Sequence, residues 1–430
     1  MPKAKTTYRP RIVDEMLSLK LSAMGAILVE GAKWCGKTTT CEQQAQSALY
    51  MASPDRRREY LALAEMDIGR LLAGAKPRLI DEWQDAPQFW DAVRFAVDHS
   101  GQEGQFILTG SAVPPNRDKT SHSGTGRFGR ILMRPMSLWE SGESSGEVSL
   151  AALFAGTEMK SATAKALSLD ELAFLVCRGG WPQAVGRTGE RALVTAQEYV
   201  AGIAESDISR TDDSLRAPNP DRTRRLLRSC ARLQGTQASI TAIYKDMAAN
   251  DGYGLDDATI SAHVNALKRF FVIEDLAAWC PCLRAKGSIR TTDTRYFVDP
   301  SLAAAAMGIG PGNLVSDLRT LGFFFEALAI RDLRVYMDAL RGHVEKYHDK
   351  TGLECDAVLH LPDGKYALAE IKLGGETLVS EGIKTLEKLD ALIRGKGMPR
   401  PVFKMVLTAM GDYAYRREDI LICPIGCLKP

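Results

Sequence analysis

The sequence predicts an α/β protein of several domains, and three observations carry this prediction. The chain has 430 residues, of which 45% are hydrophobic, so it is long enough for two to four packed domains. Strand and helix patterns alternate over residues 1–155, which is typical of a parallel sheet with helices on both faces. Residues 301–430 instead give the order helix, three strands, helix and strand, or αβββαβ.

The first element is an apolar strand that leads into a glycine-containing loop, ILVEGAKWCGKTTT, at residues 27–40. The spacing G-x-x-x-x-G-K-T is that of a P-loop, in which glycines let backbone amides curl around phosphate. Lys37 would reach the β- and γ-phosphates of ATP, and Thr38 would complete the coordination of Mg²⁺. A chance Gly-Lys-Thr in an ordinary strand-turn-helix is the alternative. The candidate nucleotide-binding residues are Gly31, Gly36, Lys37, Thr38 and Thr39.

A polar helix is expected over residues 38–49, and the next apolar strand, residues 79–80, ends in Asp81 and Glu82. A buried strand that delivers two carboxylates beside a P-loop can use Asp81 to hold the Mg²⁺ shell. Glu82 would then polarise the attacking water as the catalytic base. The alternative is a strand end with surface acids.

A third apolar strand, residues 105–108, is followed by Thr109 and Ser111, whose short hydroxyls could sense the γ-phosphate or orient the water. A glycine-rich loop further on carries Arg127 and Arg130. Either could act as an arginine finger that reaches a neighbouring subunit and stabilises charge on the transferred phosphoryl group. A solvated basic loop is the alternative for each arginine.

Six segments, EGAKWCGKTT, LIDEWQDAP, FILTGSA, GTGRFGR, RPMSLWE and RGGWP, together resemble a family of bacterial and archaeal AAA+ ATPases with an uncharacterised C-terminal domain. The resemblance implies that residues 1–155 form an AAA+ P-loop ATPase core with Walker A, Walker B and sensor 1 motifs. It implies that residues 156–235 form a helical lid or linker, and that the chain forms a homo-oligomer, either a ring or a dimer. Trp34 and Cys35 are bulky for the loop and depart from the pattern.

The pattern helix, turn, helix, strand over residues 236–300 predicts a winged helix-turn-helix, with residues 295–299 as part of the wing. Residues 218–290 contain 11 Lys and Arg against 7 Asp and Glu, so this region is locally basic. DNA binding is expected here, and protein binding is the alternative. The side chains expected to face outward from the second helix are Thr259, Ser261, His263 and Lys268.

The C-terminal strands bring acidic residues together. If residues 362–364 form the hairpin loop, counting back along the strands sets Asp356 opposite Glu370, with Lys372 on the same face as Glu370. Directly opposed residues have Cβ atoms about 5 Å apart, so two carboxylates repel unless a cation lies between them. Glu326, within an apolar helix face, likewise needs a metal or a partner. The register predicts a metal site at Asp356 and Glu370.

Asp356, the pair Glu370-x-Lys372 and the preceding Glu326 resemble the PD-(D/E)XK nuclease motif. The resemblance implies a restriction-endonuclease-like domain over residues 301–430, in which the carboxylates bind Mg²⁺ or Mn²⁺. The lysine would position or activate the hydrolytic water, and Glu326 would belong to the catalytic set. Such folds also persist as non-cleaving domains, which leaves cleavage open.

The whole chain carries a formal charge of +2, and no apolar run is long enough to cross a bilayer, so we expect a cytoplasmic protein without membrane contact. The nine cysteines lack paired C-x-x-C spacing, which favours reduced thiols. A metal site at Cys280, Cys282, Cys423 and Cys427 is the alternative. The cluster of Tyr347, His348 and Asp349 is expected on the surface of an edge strand.

The sequence therefore predicts an ATP- and Mg²⁺-using ATPase whose nucleotide cycle is coupled to a DNA-binding winged helix and a nuclease-like domain. The alternative is a regulatory or signalling ATPase whose C-terminal domain binds a partner or nucleic acid without cleaving it.

Overall fold

The computed structural model describes residues 8–112, 126–159, 161–207, 220–251, 257–281 and 292–430. These residues divide into two units. The first extends to Pro135 and includes residues 266–271, and the second contains most of the chain from Met136 onward.

The first unit is built on a five-stranded parallel sheet. Its elements are α1 (Ile12–Leu21), β1 (Ala26–Glu30), α2 (Lys37–Glu42), β2 (Ser47–Tyr50), α3 (Arg57–Met66), α4 (Ile68–Leu72), β3 (Arg78–Asp81), α5 (Phe89–Ser100), β4 (Phe106–Gly110) and β5 (Phe128–Leu132). The strand order is β2-β3-β4-β1-β5, and every pair is parallel. Strand β4 is buried along its whole length, as expected for a central strand with both faces covered. The predicted parallel sheet is confirmed.

The segment after the P-loop differs from the prediction. Helix α2 ends at Glu42, and residues 47–50 form β2 instead of continuing the expected helix over residues 38–49. Strand β2 pairs in parallel with β3 at the sheet edge. The prediction was wrong because pairing with a neighbouring strand outweighed the weak local preference for helix.

The remaining elements form two groups along the chain. The first group is α6 (Leu138–Ser141), β6 (Val148–Ser149), α7 (Leu150–Phe154), β7 (Ser161–Thr163), α8 (Leu169–Arg178), α9 (Glu190–Gly202), α10 (Pro220–Arg232), α11 (Ile240–Asp251), α12 (Asp257–Arg269), β8 (Ile273–Leu276) and β9 (Thr294–Phe297). The second group is α13 (Pro300–Met307), α14 (Pro311–Ser316), α15 (Leu318–Ala339), β10 (His343–His348), β11 (Glu354–His360), β12 (Tyr366–Lys372), α16 (Glu376–Gly395), β13 (Lys404–Thr408), β14 (Tyr413–Arg417), β15 (Ile420–Pro424) and β16 (Leu428–Lys429).

A seven-stranded mixed sheet organises the second unit, in the order β10-β11-β12-β13-β15-β14-β7. Strands β10, β11 and β12 are antiparallel neighbours, and β13 and β15 continue the sheet in parallel with β12. The element order α15-β10-β11-β12-α16-β13 is the predicted αβββαβ order. Helix α16 packs its apolar side chains, such as Leu386 and Leu389, into the core on one face of this sheet.

Residues 136–155 belong to the second unit, whereas the sequence predicts that they belong to the first domain. Strand β6 pairs in parallel with β16, near the C-terminus. Further along, β7 extends the large sheet by pairing with β14. The difference arises because these short strands are stabilised by pairing partners more than 200 residues away in sequence.

A buried ion network joins the RPMSLWE and RGGWP segments to α15. Arg331 contacts Asp332 at 2.6 Å and Asp299 at 2.8 Å, and all three side chains are almost fully buried. The backbone amide of Leu138 donates to Asp332, and that of Gly180 donates to Asp299. Burial raises the pKa of Asp332 to about 6. These motifs therefore have a structural role within the second unit.

The edge strand β10 is partly covered. A parallel bridge joins Lys346 to Ala278, and Tyr347 is buried against Trp279, with ring centroids 5.8 Å apart. Asp349 is also buried and accepts hydrogen bonds from the turn that follows. The prediction that this cluster lies on the surface was therefore wrong for Tyr347 and Asp349, because the segment before β9 packs on this edge.

Three helices, α10 to α12, precede the antiparallel pair β8 and β9. His263 on α12 is buried and its Nδ1 lies 2.8 Å from the carbonyl oxygen of Thr259, so the prediction that His263 faces outward was wrong. Thr259, Ser261 and Lys268 are half-buried.

Cys423 and Cys427 are reduced thiols whose Sγ atoms lie 3.7 Å apart in the core. Cys280 is exposed, and Cys282 lies outside the described residues. None of the helices that the structure describes combines the length and apolarity that a membrane span requires.

Candidate functional site

The loop between β1 and α2 has the backbone of a P-loop. Gly31 has a φ of 151°, and a Cβ atom at this position would lie 2.1 Å from the carbonyl oxygen of Met133. Gly36 has a φ of 103°, in the left-handed region that favours glycine. The two glycines of the motif are therefore required by backbone conformation, and at Gly31 by the lack of space for a side chain.

Lys37 folds back onto its own loop. Its Nζ donates to the carbonyl oxygens of Gly31 at 2.9 Å and Ala32 at 2.8 Å, and the side chain is buried. The ammonium thus lies within the curve of the loop, where a phosphate chain would be cradled. Thr39 lies exposed in the first turn of α2.

The ends of three neighbouring strands bring together the side chains predicted to hold Mg²⁺. The Thr38 hydroxyl donates to Asp81 Oδ1 at 2.7 Å, and the Thr109 hydroxyl donates to the same oxygen at 2.6 Å. The contact follows from the strand order, because β4 lies between β1 and β3 and all three carboxyl ends share one edge. Hydroxyl and carboxylate oxygens are the hard ligands that Mg²⁺ prefers, so the residues present fit this ion.

Glu82 is held in a strained conformation at the same edge. Its φ of 57° is unusual for a residue with a side chain, and such outliers concentrate at functional sites. Ser111 Oγ donates to Glu82 Oε2 at 2.9 Å, and the side-chain amide nitrogen of Gln84 also donates to this oxygen. Sequence reasoning predicted Glu82 and Ser111 but missed Gln84, because a glutamine after Walker B has no motif of its own.

The two candidate finger arginines bind acids of the first unit. Arg127 Nε donates to Asp98 at 2.7 Å, at the amino end of β5 and so at the sheet edge opposite the P-loop. Arg130 lies 3.4 Å from Glu30 and stacks on the ring of Trp90. About half of each arginine side chain is exposed.

Arg11, which the sequence analysis did not single out, supports the P-loop from α1. Its guanidinium is buried and donates to the carbonyl oxygens of Cys35 at 2.8 Å and Arg134 at 2.9 Å. Nearby, the Tyr8 hydroxyl donates to Asp14, and burial together with this bond raises the pKa of Tyr8. The only signal in the sequence was an arginine just before the first helix, which is too common to interpret.

A second polar site lies on the C-terminal sheet. The ladder between β11 and β12 pairs Ala357 with Ala369, so the predicted hairpin register is confirmed. Lys372 Nζ lies 3.3 Å from Asp356 Oδ2 and 2.7 Å from Glu370 Oε2. The two carboxylates and the lysine therefore meet on the same face of the sheet.

The pKa values of Glu370 and Lys372 are both raised at this site, but for different physical reasons. Burial, followed by the negative charge of Asp356, raises the pKa of Glu370 to about 8. Burial acts to lower the pKa of Lys372, but the charges of Asp356 and Glu370 outweigh it and hold that pKa well above its usual value. Lys372 is therefore a cation at neutral pH. Glu370 is readily protonated as long as no metal ion is bound beside it.

The site opens into a cleft of about 500 Å³ between the β10–β11 turn and α16. Glu370 Oε1 is buried and has no hydrogen-bond partner. An orphaned carboxylate oxygen beside a second carboxylate fits a hard divalent cation such as Mg²⁺ or Mn²⁺. The described residues contain no cluster of three or more His, Cys, Asp or Glu side chains arranged for a metal, so water or substrate would supply further ligands. The cleft is lined by Thr351, Gly352, Leu353, Glu354, Asp356, Glu370, Lys372, Thr385 and Lys388.

Glu326 contacts a lysine that sequence reasoning missed. Lys346 Nζ lies 2.8 Å from Glu326 Oε1 and 3.9 Å from Asp356 Oδ1. The Tyr296 hydroxyl donates to the same Glu326 oxygen at 2.5 Å. Burial, and then the charge of Glu326, raises the pKa of Tyr296. The carboxylate of Glu326 is thus compensated by two protein groups.

Two family profiles match the chain in separate stretches. Residues 24–141 match an AAA domain, and residues 169–313 match a domain of unknown function, DUF8612. With the parallel sheet and the P-loop, the first match defines this part of the chain as a P-loop domain. More particularly, residues 24–141 are similar to AAA domains, which supports a P-loop ATPase.

Two solved structures resemble the chain weakly. A Walker-type ATPase of Pyrococcus abyssi is 14% identical and has a TM-score of 0.41, over 68% of this chain and 94% of its own. A structure of Drosophila ORC bound to DNA is 13% identical and has a TM-score of 0.21, over 71% of this chain and 89% of its own. Scores this low carry no argument about function. No curated protein sequence matches the chain.

Proposed function

We propose that this protein is an ATPase whose nucleotide cycle controls a metal-dependent, phosphodiester-cleaving site in its C-terminal domain, acting on DNA. The observation that carries the proposal is the meeting of Asp356, Glu370 and Lys372 at one cleft, with the lysine ammonium in contact with both carboxylates. This arrangement supports the resemblance to PD-(D/E)XK nucleases that the sequence suggested.

For ATP hydrolysis, Thr38 and Asp81 would hold Mg²⁺, and Lys37 would bind the phosphates. When bound, Mg²⁺ neutralises charge on the phosphates. Glu82 acts as the general base on the attacking water, and Ser111 orients the Glu82 carboxylate through the 2.9 Å hydrogen bond. Thr109 fixes Asp81 from the neighbouring strand.

In the C-terminal domain, Asp356 and Glu370 would hold Mg²⁺ or Mn²⁺. The ion supplies Lewis-acid polarisation of a phosphate and lowers the pKa of a bound water. Lys372, exposed enough to reach the cleft, orients the water and offsets negative charge as it develops. Lys388 on the cleft wall offers a second cation for the phosphate backbone of a nucleic acid.

The test is Mg²⁺- or Mn²⁺-dependent cleavage of plasmid, linear duplex, single-stranded DNA and RNA by the full chain. We expect cleavage by the wild type and its loss in Asp356→Ala. Asp363→Ala, a change of the same kind at an exposed turn of the same hairpin, should cleave normally. Equal cleavage by wild type and Asp356→Ala would remove the nuclease assignment.

DNA contact through α12 is part of the proposal, and Thr259, Ser261 and Lys268 are its candidate residues. Support comes from the local excess of basic residues. The measurement is binding of a labelled duplex by the full chain at increasing salt. Affinity that does not fall with salt would contradict contact with the phosphate backbone.

A second candidate function is a regulatory ATPase whose C-terminal domain binds nucleic acid or a partner without cleaving it. The contact of Lys346 with Glu326 favours it, because one carboxylate of the nuclease-like set is already compensated. Metal-independent binding of duplex DNA, without cleavage of any substrate, would support this function over the first.

We also propose that the ATPase works as a homo-oligomer in which Arg127 or Arg130 reaches a neighbour's nucleotide. Both arginine side chains are about half exposed. Arg127 also lies at the amino end of β5, at the opposite edge of the sheet from the P-loop of the same chain. Mixing Arg127→Ala or Arg130→Ala with Glu82→Gln should restore part of the lost turnover, because intact sites form between the two chains. A mixture no more active than its components would contradict it.

A further inference from the structure

Lys346 is a buried residue of the C-terminal site that does not line the cleft. Its side chain is 8% exposed, and it contacts Glu326 at 2.8 Å, Asp356 at 3.9 Å and the Tyr296 hydroxyl at 3.5 Å. A buried ammonium is costly unless it is paired, and here two carboxylates pair it. The ammonium is therefore a fixed positive charge between Glu326 and Asp356.

The side of Asp356 that faces Glu370 and Lys372 borders the open cleft. Glu370 Oε1 is buried without a partner, and Lys372, whose side chain is 23% exposed, can move into the cleft. A divalent cation can thus enter between Asp356 and Glu370 by displacing a lysine toward water. Between Glu326 and Asp356 it would meet the ammonium of Lys346, which is buried and is not among the side chains that line the cleft.

We propose that Lys346 takes the place of a second divalent cation, so that the site binds one ion, through Asp356 and Glu370, and none through Glu326. This inference rests on the metal site of the proposed function and fixes its stoichiometry. Glu326 then acts on the ion only indirectly, by holding Lys346 beside Asp356. Lys346 is a positioning residue, because it orients Asp356 without contacting the reacting atoms.

The test counts Mn²⁺ ions bound to the full chain without nucleotide, by the electron paramagnetic resonance signal of free Mn²⁺. The parent chain and all its variants carry Asp81→Asn, which removes the carboxylate expected to bind a metal ion beside the P-loop. We expect one Mn²⁺ per chain in this parent and its loss in Asp356→Asn. Glu326→Gln should leave the Kd close to that of the parent.

Lys346→Met should allow a second Mn²⁺ to bind, because it removes the cation that lies between the carboxylates of Glu326 and Asp356. Because Lys346→Met leaves the carboxylate of Glu326 without its cation and so destabilises the domain, the double variant Glu326→Gln with Lys346→Met is tested beside it and removes both charges of the pair. It should fold and bind one Mn²⁺, with circular dichroism as the check on folding.

Two bound Mn²⁺ ions in the parent would overturn the inference and leave the metal site of the proposed function intact. The same holds if Glu326→Gln weakens binding as strongly as Asp356→Asn. A parent that binds no Mn²⁺ would overturn both the inference and the metal site.

Discussion

Replacing Glu370 with glutamine should stabilise the C-terminal domain at alkaline pH, although it removes a metal ligand. Glu370 is buried beside Asp356, and its pKa rises from 4.5 to about 8 in the folded protein. An acid whose pKa is raised by folding contributes stability that is complete below its unfolded pKa and is lost as the pH rises through its folded pKa. The wild type should therefore lose stability between pH 5 and pH 8.

The size of this loss follows from the two pKa values. Between pH 5 and pH 8 the unfolded chain ionises Glu370 far more readily than the folded chain, which corresponds to about 3–4 kcal/mol. Since the cleft admits water, which stabilises the ionised carboxylate, we expect about half of this, about 2 kcal/mol. The neutral glutamine does not titrate, so Glu370→Gln avoids the loss.

Differential scanning calorimetry of the full chain, without divalent metal, measures the effect. At pH 8 the midpoint of the C-terminal transition should be about 4–8 °C higher in Glu370→Gln than in wild type. At pH 5 the two midpoints should nearly coincide. Glu381→Gln, an exposed change of the same kind on α16, should stay within about 0.5 kcal/mol of wild type at both values. A midpoint difference that is the same at pH 5 and pH 8, or a lower midpoint for Glu370→Gln at pH 8, would refute the reasoning.

Three further predictions concern the P-loop domain and the buried ion network. Lys37→Ala should abolish binding of a fluorescent ATP analogue, because it removes the ammonium that lies within the curve of the loop; retained affinity would contradict its role. Glu82→Gln should bind the analogue normally but turn ATP over at least about 100-fold more slowly in a phosphate-release assay, whereas the exposed Glu65→Gln should match wild type. Undiminished turnover would rule out Glu82 as the base. Arg331→Met should destabilise the second unit by about 3–5 kcal/mol, because it leaves two buried carboxylates without their cation, and an unchanged thermal midpoint would contradict this.

The parts of the two sites that lie close together in sequence could be predicted from it. The spacing of Gly36, Lys37 and Thr38 is dictated by how a loop surrounds phosphate, so eight residues suffice to identify it. Asp356 and Glu370 are fourteen residues apart, but a tight hairpin fixes their register. The backbone amide of Leu361 donates to the carbonyl oxygen of Lys365, as the three-residue loop required.

Lys346 could not be predicted, because its position depends on an irregularity and on distant partners. The pairing of β10 with β11 shifts between Glu345 and Tyr347, so Lys346 lies at a β-bulge. Simple alternation cannot place a side chain at such a point, and the sequence HVEKYH looks like an exposed strand. The partners Glu326 and Tyr296 lie 20 and 50 residues away, on a helix and on another sheet.

The segments RPMSLWE and RGGWP show why a recognisable motif need not mark chemistry. Their backbone amides bind Asp332 and Asp299, and these carboxylates are neutralised by the buried guanidinium of Arg331. The three charged side chains of this network are almost fully buried, so a substrate cannot reach them. Lys372 and Glu370 form an equally close ion pair, but that pair borders a cleft and leaves one buried oxygen without a partner. An ion pair that satisfies all its members stabilises a fold, whereas one that leaves an oxygen unsatisfied beside an open cleft is prepared for a ligand.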